Sequence, residues 1–193
     1  MALLPPISAH EIATSLYGAT RLARADPRGI DFFDDTVEAF WKSFWAAAIA
    51  APAFALLIVL DLSETPVTSG ALRILLIECV AYVAGWAAFP LAMHYVAEMI
   101  DREEQYIRYI VANNWGSVLQ VTLYLFVSAF LALDVLPHGF AIAVSLATYG
   151  TIFVYQWFVA RVGLELSRGG AAGIVALDFG IGLILNTTVR VML

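Results

Sequence analysis

Residues 108–133 read RYIVANNWGSVLQVTLYLFVSAFLAL, and the two faces of this helix-forming stretch differ sharply in polarity. At about 100° per residue, one narrow stripe collects the polar side chains Asn113, Ser117, Gln120, Tyr124 and Ser128. The opposite face collects Trp115, Leu119, Phe126 and Phe130. Polar groups exposed to hydrocarbon cost several kcal/mol each. The stripe therefore predicts a wall of a bundle interior, and the other face predicts contact with lipid.

Composition places the whole chain in a membrane. Of its 193 residues, 62% are hydrophobic and 13% are charged, and the mean hydropathy is +0.83. The net charge of −6 comes mostly from acidic residues near the N-terminus and in the loop after the second span, so it does not indicate a nucleic-acid partner. Because Cys79 is the only cysteine, no intrachain disulfide is possible.

Five apolar stretches are long enough to cross a bilayer, for which about 20 helical residues suffice. These predicted spans cover residues 41–60, 74–97, 108–133, 140–160 and 171–191. Three further spans carry a stripe of polar or small residues, namely Glu78, Tyr82 and Gly85; Ser145, Tyr149 and Gln156; and Ala171, Asp178, Gly182 and Asn186. We therefore predict an all-α polytopic membrane protein whose five-helix domain occupies residues 36–193.

Residues 1–35 predict an N-terminal segment that does not span the membrane. Ser8 and Glu11 have the spacing of a capping box, and Ile7 and Ile12 have that of a hydrophobic staple. They predict a helix over residues 9–25. This helix either packs on the bundle or lies as an amphipathic helix on the cytoplasmic membrane surface. No cleaved leader is expected, since the first residues carry neither a charge nor a sufficiently long apolar run.

Basic residues are unevenly divided between the two sides that five spans define. Eight fall on the side of the N-terminus: Arg21, Arg24, Arg28, Lys42, Arg102, Arg108, Arg161 and Arg168. Only Arg73 and Arg190 fall on the other side. Because cytoplasmic loops are enriched in lysine and arginine, this bias predicts a cytoplasmic N-terminus and a C-terminus on the opposite side.

Polar residues at a similar depth in the spans form the candidate site. This candidate polar layer consists of Lys42, His94, Asn113, Asn114, Gln156 and Asp178. It is either an interhelical hydrogen-bond network or the lining of a polar vestibule open to the cytoplasm. Asp178 is the only carboxylate deep in the inner half of a span, so we expect it to contact another member. On the outer side, Arg73 and Glu78 predict an ion pair, with a titrating Glu78 as the alternative.

Motifs for catalysis are absent from the sequence. There is no Ser/His/Asp signature, no nucleotide-binding glycine pattern and no di-iron motif. His94 and Glu98 have the spacing of metal ligands, but no second such pair exists, so neither a metal site nor another cofactor is predicted. We expect a non-catalytic accessory or interaction subunit whose partners are the lipid bilayer and other membrane proteins or a second copy. The alternative is a small transporter or channel that uses the polar layer around Asp178.

Two stretches carry a resemblance to known proteins. They are FDDTVEAFWKSFWAAAIAAP at residues 33–52 and YIVANNWGSVLQ at residues 109–120. Together they resemble an uncharacterised group of small bacterial inner-membrane proteins, which implies the bacterial inner membrane as location but no activity. The five-span plan, with the N-terminus inside and the C-terminus outside, is also similar to the Yip family of vesicle-traffic membrane proteins. That family has an Asp-Leu-Tyr-Gly-Pro motif that this chain lacks.

Overall fold

The computed structural model describes residues 4–64 and 69–193. Within these residues there are seven α-helices, one 3₁₀-helix over Pro27–Phe32 and no strand. The α-helices are α1 (Ala9–Ala23), α2 (Val37–Ser43), α3 (Trp45–Glu64), α4 (Ala71–Met99), α5 (Glu103–Leu131), α6 (His138–Gly163) and α7 (Arg168–Met192). Five helical stretches are long and apolar enough to cross a membrane, with α2 and α3 together forming the first. The protein is an all-α polytopic membrane protein, as predicted.

Most spans extend beyond the predicted apolar stretches because their helices continue into the polar flanks. The clearest case is α5, which begins at Glu103, five residues before the predicted span. Its first turn carries Glu103 and Glu104, whose negative charges are favourable at a helix N-terminus. The first span differs in another way, since the helix is interrupted at Phe44, where α2 ends and α3 begins.

Helix α5 is the centre of the bundle. It contacts α1, α2, α3, α4 and α6, while α7 packs on α4 and α6. Consecutive spans run in opposite directions, so the helix ends gather at two ends of the bundle. The base is the end formed by α1, the 3₁₀-helix and the connections 100–102 and 164–167. The rim is the end that contains Asp61, the connection 132–137 and Leu193.

Helix α1 packs on the base of the bundle, which is one of the two arrangements that its sequence allows. It begins with the expected capping box, in which Glu11 donates its N–H to Ser8 Oγ at 3.1 Å and accepts the Ser8 N–H at 2.8 Å. Its residues Ala19 and Leu22 are fully buried. At Gly18 an added Cβ would lie 2.7 Å from Cβ of Phe32, so only glycine allows the 3₁₀-helix to come this close.

The end of α1 differs slightly from the prediction. The helix ends at Ala23 instead of residue 25, because Ala25 has a φ of 57° and turns the chain into the 3₁₀-helix. A left-handed residue directly after a helix is a common way to end it. The turn is held by an ion pair between Arg21 and Asp26.

Lys42 fastens α1 to α2. Its Nζ lies 2.7 Å from an oxygen of Glu11 and 2.7 Å from an oxygen of Glu38. The Trp45 indole adds a second link by donating to the carbonyl oxygen of Pro5 at 2.9 Å. The N-terminal segment is therefore attached to the start of the first span through charged and polar contacts as well as through apolar packing.

Attachment of α1 is expected to weaken in acid. The hydrogen bond from Lys42, followed by those from Ser8, lowers the pKa of Glu11 from 4.5 to about 2. Because the pKa is lowered in the folded state, this stabilisation is complete above about pH 4.5 and is lost as the pH falls towards 2. We expect amide hydrogen exchange in α1, corrected for intrinsic rates, to rise over this interval.

Glu11→Gln supplies the corresponding test at neutral pH. This variant should already exchange faster in α1 at pH 7 and should respond less to acid than the parent. Glu98→Gln, which removes an exposed carboxylate elsewhere at the base, is the control and should behave as the parent does. Equal protection of α1 in Glu11→Gln and the parent at pH 7 would contradict the assigned role of the ion pair.

Candidate functional site

A cavity of about 890 Å³ lies between α3, α4, α5, α6 and α7. Its lining includes four of the five residues of the polar stripe on α5, namely Asn113, Ser117, Tyr124 and Ser128. The prediction that this face of α5 is a wall of the bundle interior is confirmed for these four. Gln120 does not line the cavity, and its Nε2 atom is buried without a hydrogen-bond partner among the residues that the structure describes.

The polar stripes of the other spans point to the same cavity. Its lining includes Glu78, Tyr82 and Gly85 of α4, Ser145 and Tyr149 of α6, and Asp178 and Asn186 of α7. The Tyr124 and Tyr149 hydroxyls are hydrogen-bonded to each other at 2.9 Å, which joins α5 to α6 at the wall. The polar stripes of four spans therefore converge on one internal space.

Asp178 lies at the deep end of the cavity. Helix α7 starts at Arg168, three residues before the predicted span, so Asp178 lies about 15 Å along it, near the middle of a hydrocarbon core of about 30 Å. One Asp178 oxygen accepts a hydrogen bond from Nε2 of Gln156 at 2.8 Å. The expected contact of Asp178 with a residue of the candidate polar layer is present. No Lys, Arg or His side chain in the described part of the chain forms an ion pair with it.

The six residues of the candidate polar layer do not form one network. Three of them, Asn113, Asn114 and Asp178, line the cavity, and Gln156 is bonded to Asp178. The buried Asn114 also donates to Oγ of Ser43 at 2.9 Å, which joins α5 to α2.

The other two members of the candidate polar layer lie apart from the cavity. Lys42 is engaged by Glu11 and Glu38 at the base. His94 is exposed, and its ring packs against the rings of Tyr95 and Tyr106. These two residues do not lie near Asp178, although their positions along the spans predicted a similar depth in the membrane. Depth alone does not specify on which side of its helix a residue lies.

The predicted ion pair between Arg73 and Glu78 is wrong. Arg73 instead donates to the carbonyl oxygen of Met192 at 2.8 Å. That carbonyl is at the C-terminal end of α7, where backbone oxygens lack helical partners and favour a cation. Glu78 lines the cavity and has no hydrogen bond or ion pair with any residue that the structure describes.

The cavity extends to the rim and ends above the base. Asp61, Arg190 and Leu193 line it at the rim, where Arg190 and Asp61 form an ion pair at 2.6 Å. None of the described residues that line it belongs to the base. The described lining therefore favours an opening at the rim, and a vestibule open on the side of the N-terminus, which was one interpretation of the polar layer, stays a prediction. Sequence analysis did not identify the Asp61–Arg190 pair, although both residues stand at span ends on the same side.

Tightly packed side chains close the base. Met93 of α4, Ile110 of α5 and Leu164 after α6 are all fully buried. Helix α1 packs onto both α5 and α6 from outside. The space between the spans is therefore filled at the base and open above it.

Trp115 corrects the prediction for the second face of α5. It was expected to face lipid together with Phe126, yet Trp115 is 2% exposed and Phe126 is 71% exposed. Both α1 and α2 pack on α5. They cover the part of α5 near the base, so that its apolar face meets protein there and lipid only nearer the rim.

Comparisons of the chain with family models, with curated proteins and with solved structures give no match, so the two resemblances found in the sequence remain predictions.

Proposed function

We propose that the protein is a small membrane transporter that binds a solute in the cavity enclosed by the five helices α3 to α7. The observation that carries the proposal is the cavity of about 890 Å³, lined by both apolar and polar residues and reaching Asp178 in the middle of the bundle. Sites for small molecules are typically about 300–1,000 Å³. The proposal involves no catalytic step.

The polar lining favours transport over the accessory role. In a protein that serves only as an interaction subunit, inward polar groups would be expected to pair with one another across helices. Asn114 and Gln156 do form such pairs with Ser43 and Asp178. Glu78, however, forms no hydrogen bond or ion pair with a described residue, and the cavity lies between it and Asp178. Unpaired polar groups around an open space are typical of a solute pathway.

The closed base and the open rim fit one state of an alternating-access cycle. In such a cycle a central site is exposed to one side at a time, while packed helices close the other side. Here the central site would be the floor at Asp178, and the closed side would be the base. The partners in this proposal are the lipid bilayer and a second copy or other membrane proteins.

For the location we propose the inner membrane of a bacterial cell, with the base in the cytoplasm. The support is the distribution of basic residues, eight on the side of the base and two on the side of the rim. Reporter fusions should therefore give a cytoplasmic signal at the N-terminus and at the connection 164–167, and a periplasmic signal at the C-terminus. A cytoplasmic signal at the C-terminus would contradict the five-span orientation.

Cysteine accessibility tests the cavity directly. In a Cys79→Ala background, Ser145→Cys and Ser117→Cys place a thiol in the lining at about 10 Å and about 21 Å from the rim ends of their helices. Both thiols should react with a charged, membrane-impermeant thiol reagent added to the outside of intact cells. The reaction requires water around the thiol, because the reactive form is the thiolate.

Leu146→Cys is the matched control. Leu146 follows Ser145 directly, is 66% exposed and does not line the cavity, so its thiol should lie in lipid and stay unmodified. Equal labelling of the cysteines at 145 and 146 would show that the reagent does not report the cavity. No labelling at 145 and 117 would indicate a dry bundle and would restore the accessory role.

A further inference from the structure

We propose that the solute is an organic cation with an apolar body. This inference rests on the proposed function, since it names the class of solute that the same cavity accepts. It is carried by the charge balance of the lining, by its aromatic side chains and by the difference in depth between Glu78 and Asp178, neither of which forms an ion pair within the described residues.

The charge balance of the lining is negative. Among the described residues, three carboxylates line the cavity, Asp61, Glu78 and Asp178, whereas Arg190 is the only basic residue that does so. Arg190 is engaged by Asp61 at the rim, at 2.6 Å. Neither Glu78 nor Asp178 has a cationic side chain within ion-pair distance in the part of the chain that the structure describes. A cation in the cavity would supply the missing counter-charge, whereas an anion would meet no unoccupied basic group.

The aromatic lining suits the same class of solute. Six aromatic residues line the cavity: Phe54, Tyr82, Trp86, Phe89, Tyr124 and Tyr149. The Phe54 and Tyr82 rings lie 4.7 Å apart, and those of Tyr82 and Trp86 lie 6.2 Å apart, so they form one cluster across α3 and α4. Aromatic faces attract cations, and Trp does so most strongly. They also pack against an apolar body, which a small hydrated ion lacks.

The positions of the two carboxylates argue against an inorganic ion as the occupant. Glu78 lies about 10 Å below the rim end of α4, whereas Asp178 lies about 21 Å below the rim end of α7. Two groups at such different depths do not converge on one ion. Within the described residues, moreover, no three His, Cys, Asp or Glu side chains are placed to hold a metal ion. A larger cation, whose charge lies between the two carboxylates and whose body packs on the aromatic cluster, fits the separation.

Tetraphenylphosphonium and tetraphenylborate provide a matched pair of probes. They have nearly the same size and shape and opposite charge, so a difference in their binding reports the sign of charge that the cavity prefers. The full-length protein would be reconstituted in nanodiscs of phosphatidylglycerol, whose headgroup carries no cation, and binding to empty nanodiscs would be subtracted. We expect saturable binding of tetraphenylphosphonium at one site per chain and no saturable binding of tetraphenylborate.

Two variants tie the binding to the cavity. Glu78→Gln and Asp178→Asn should each weaken tetraphenylphosphonium binding by about tenfold or more, as loss of a partly desolvated charge contact would. The exposed Glu98 does not line the cavity, so Glu98→Gln should bind like the parent. Adding phosphatidylethanolamine to the nanodiscs then separates two sources of the cation. If phosphatidylethanolamine competes with tetraphenylphosphonium, the natural occupant is a lipid headgroup. If tetraphenylphosphonium binding is unchanged, the natural occupant is a free solute.

Failure of this inference differs from failure of the proposed function. Equal or tighter binding of tetraphenylborate, or unchanged tetraphenylphosphonium binding in the Glu78→Gln, Asp178→Asn double variant, would overturn the assignment of the cation. If the cysteines at 117 and 145 were nevertheless labelled, the hydrated cavity and the transport role would stand with another class of solute. If those cysteines were not labelled, the proposed function itself would fail.

Discussion

Trp115→Ala should reduce the free energy of unfolding by about 2 to 4 kcal/mol. Trp115 is among the largest fully buried side chains, on the central helix α5 at the level where α1 and α2 cover it. In a membrane the substitution loses mainly packing contacts, because lipid is as apolar as the protein interior. The expected loss of unfolding free energy is therefore smaller than in the core of a water-soluble protein. Unfolding by sodium dodecyl sulfate in mixed micelles would measure the change.

Phe126→Ala is the matched control for Trp115→Ala. The two aromatic residues lie 11 positions apart, which at 100° per residue places them on the same face of α5. Phe126 is 71% exposed, so its truncation should change stability by less than about 0.5 kcal/mol. Similar effects of the two substitutions would contradict the arrangement in which α1 and α2 cover only the part of α5 near the base.

Trp115 also shows what the sequence pattern could not predict. Helical periodicity assigns a residue to a face, but it does not say which other helix covers that face or over what length. The capping box of Ser8 and Glu11 predicted that α1 exists and where it begins, and both are confirmed. Its position on the bundle depends on contacts between residues far apart in sequence, such as that between Lys42 of α2 and Glu11.

The cavity lining was largely predictable, whereas its direction was not. Polar stripes on α4, α5, α6 and α7 each indicated an inward face, because a polar group in lipid is costly, and the stripes do meet in one space. Whether that space opens at the rim or at the base depends on which end is packed shut. The close packing of Ile110 and Leu164 at the base is a property of the assembled bundle.

Local proximity in sequence also proved misleading at the rim. Arg73 and Glu78 are five residues apart, but the backbone carbonyls at the end of α7 provide a better partner for Arg73. Glu78 therefore lines the cavity without an ion pair to Arg73. At the rim, Arg73 of α4 donates to the carbonyl oxygen of Met192, and Arg190 forms an ion pair with Asp61 of α3. These two contacts tie α4 and α3 to the end of α7. Movement of α7 would therefore have to break both contacts, so a transport cycle would be expected to act on them.

Asp178→Asn should separate transport from stability. The asparagine oxygen can still accept the hydrogen bond from Gln156, so the variant should melt as the parent does, although it removes the only charge of α7 that lines the cavity near the middle of the membrane. Asp178→Leu should in addition lower stability by about 1 to 3 kcal/mol, because the Gln156 amide loses its acceptor. We expect uptake of tetraphenylphosphonium into proteoliposomes to fall by about tenfold or more in both variants.

The comparison of Asp178→Asn with Asp178→Leu decides what the charge does. Loss of uptake in both variants, with a lower melting temperature only in Asp178→Leu, would assign the carboxylate to the solute and the hydrogen bond to the fold. Uptake at the parental rate in Asp178→Asn would remove Asp178 from the pathway and leave it a purely structural partner of Gln156. A melting temperature of Asp178→Leu equal to that of the parent would show instead that the hydrogen bond between α6 and α7 contributes nothing to holding the cavity floor.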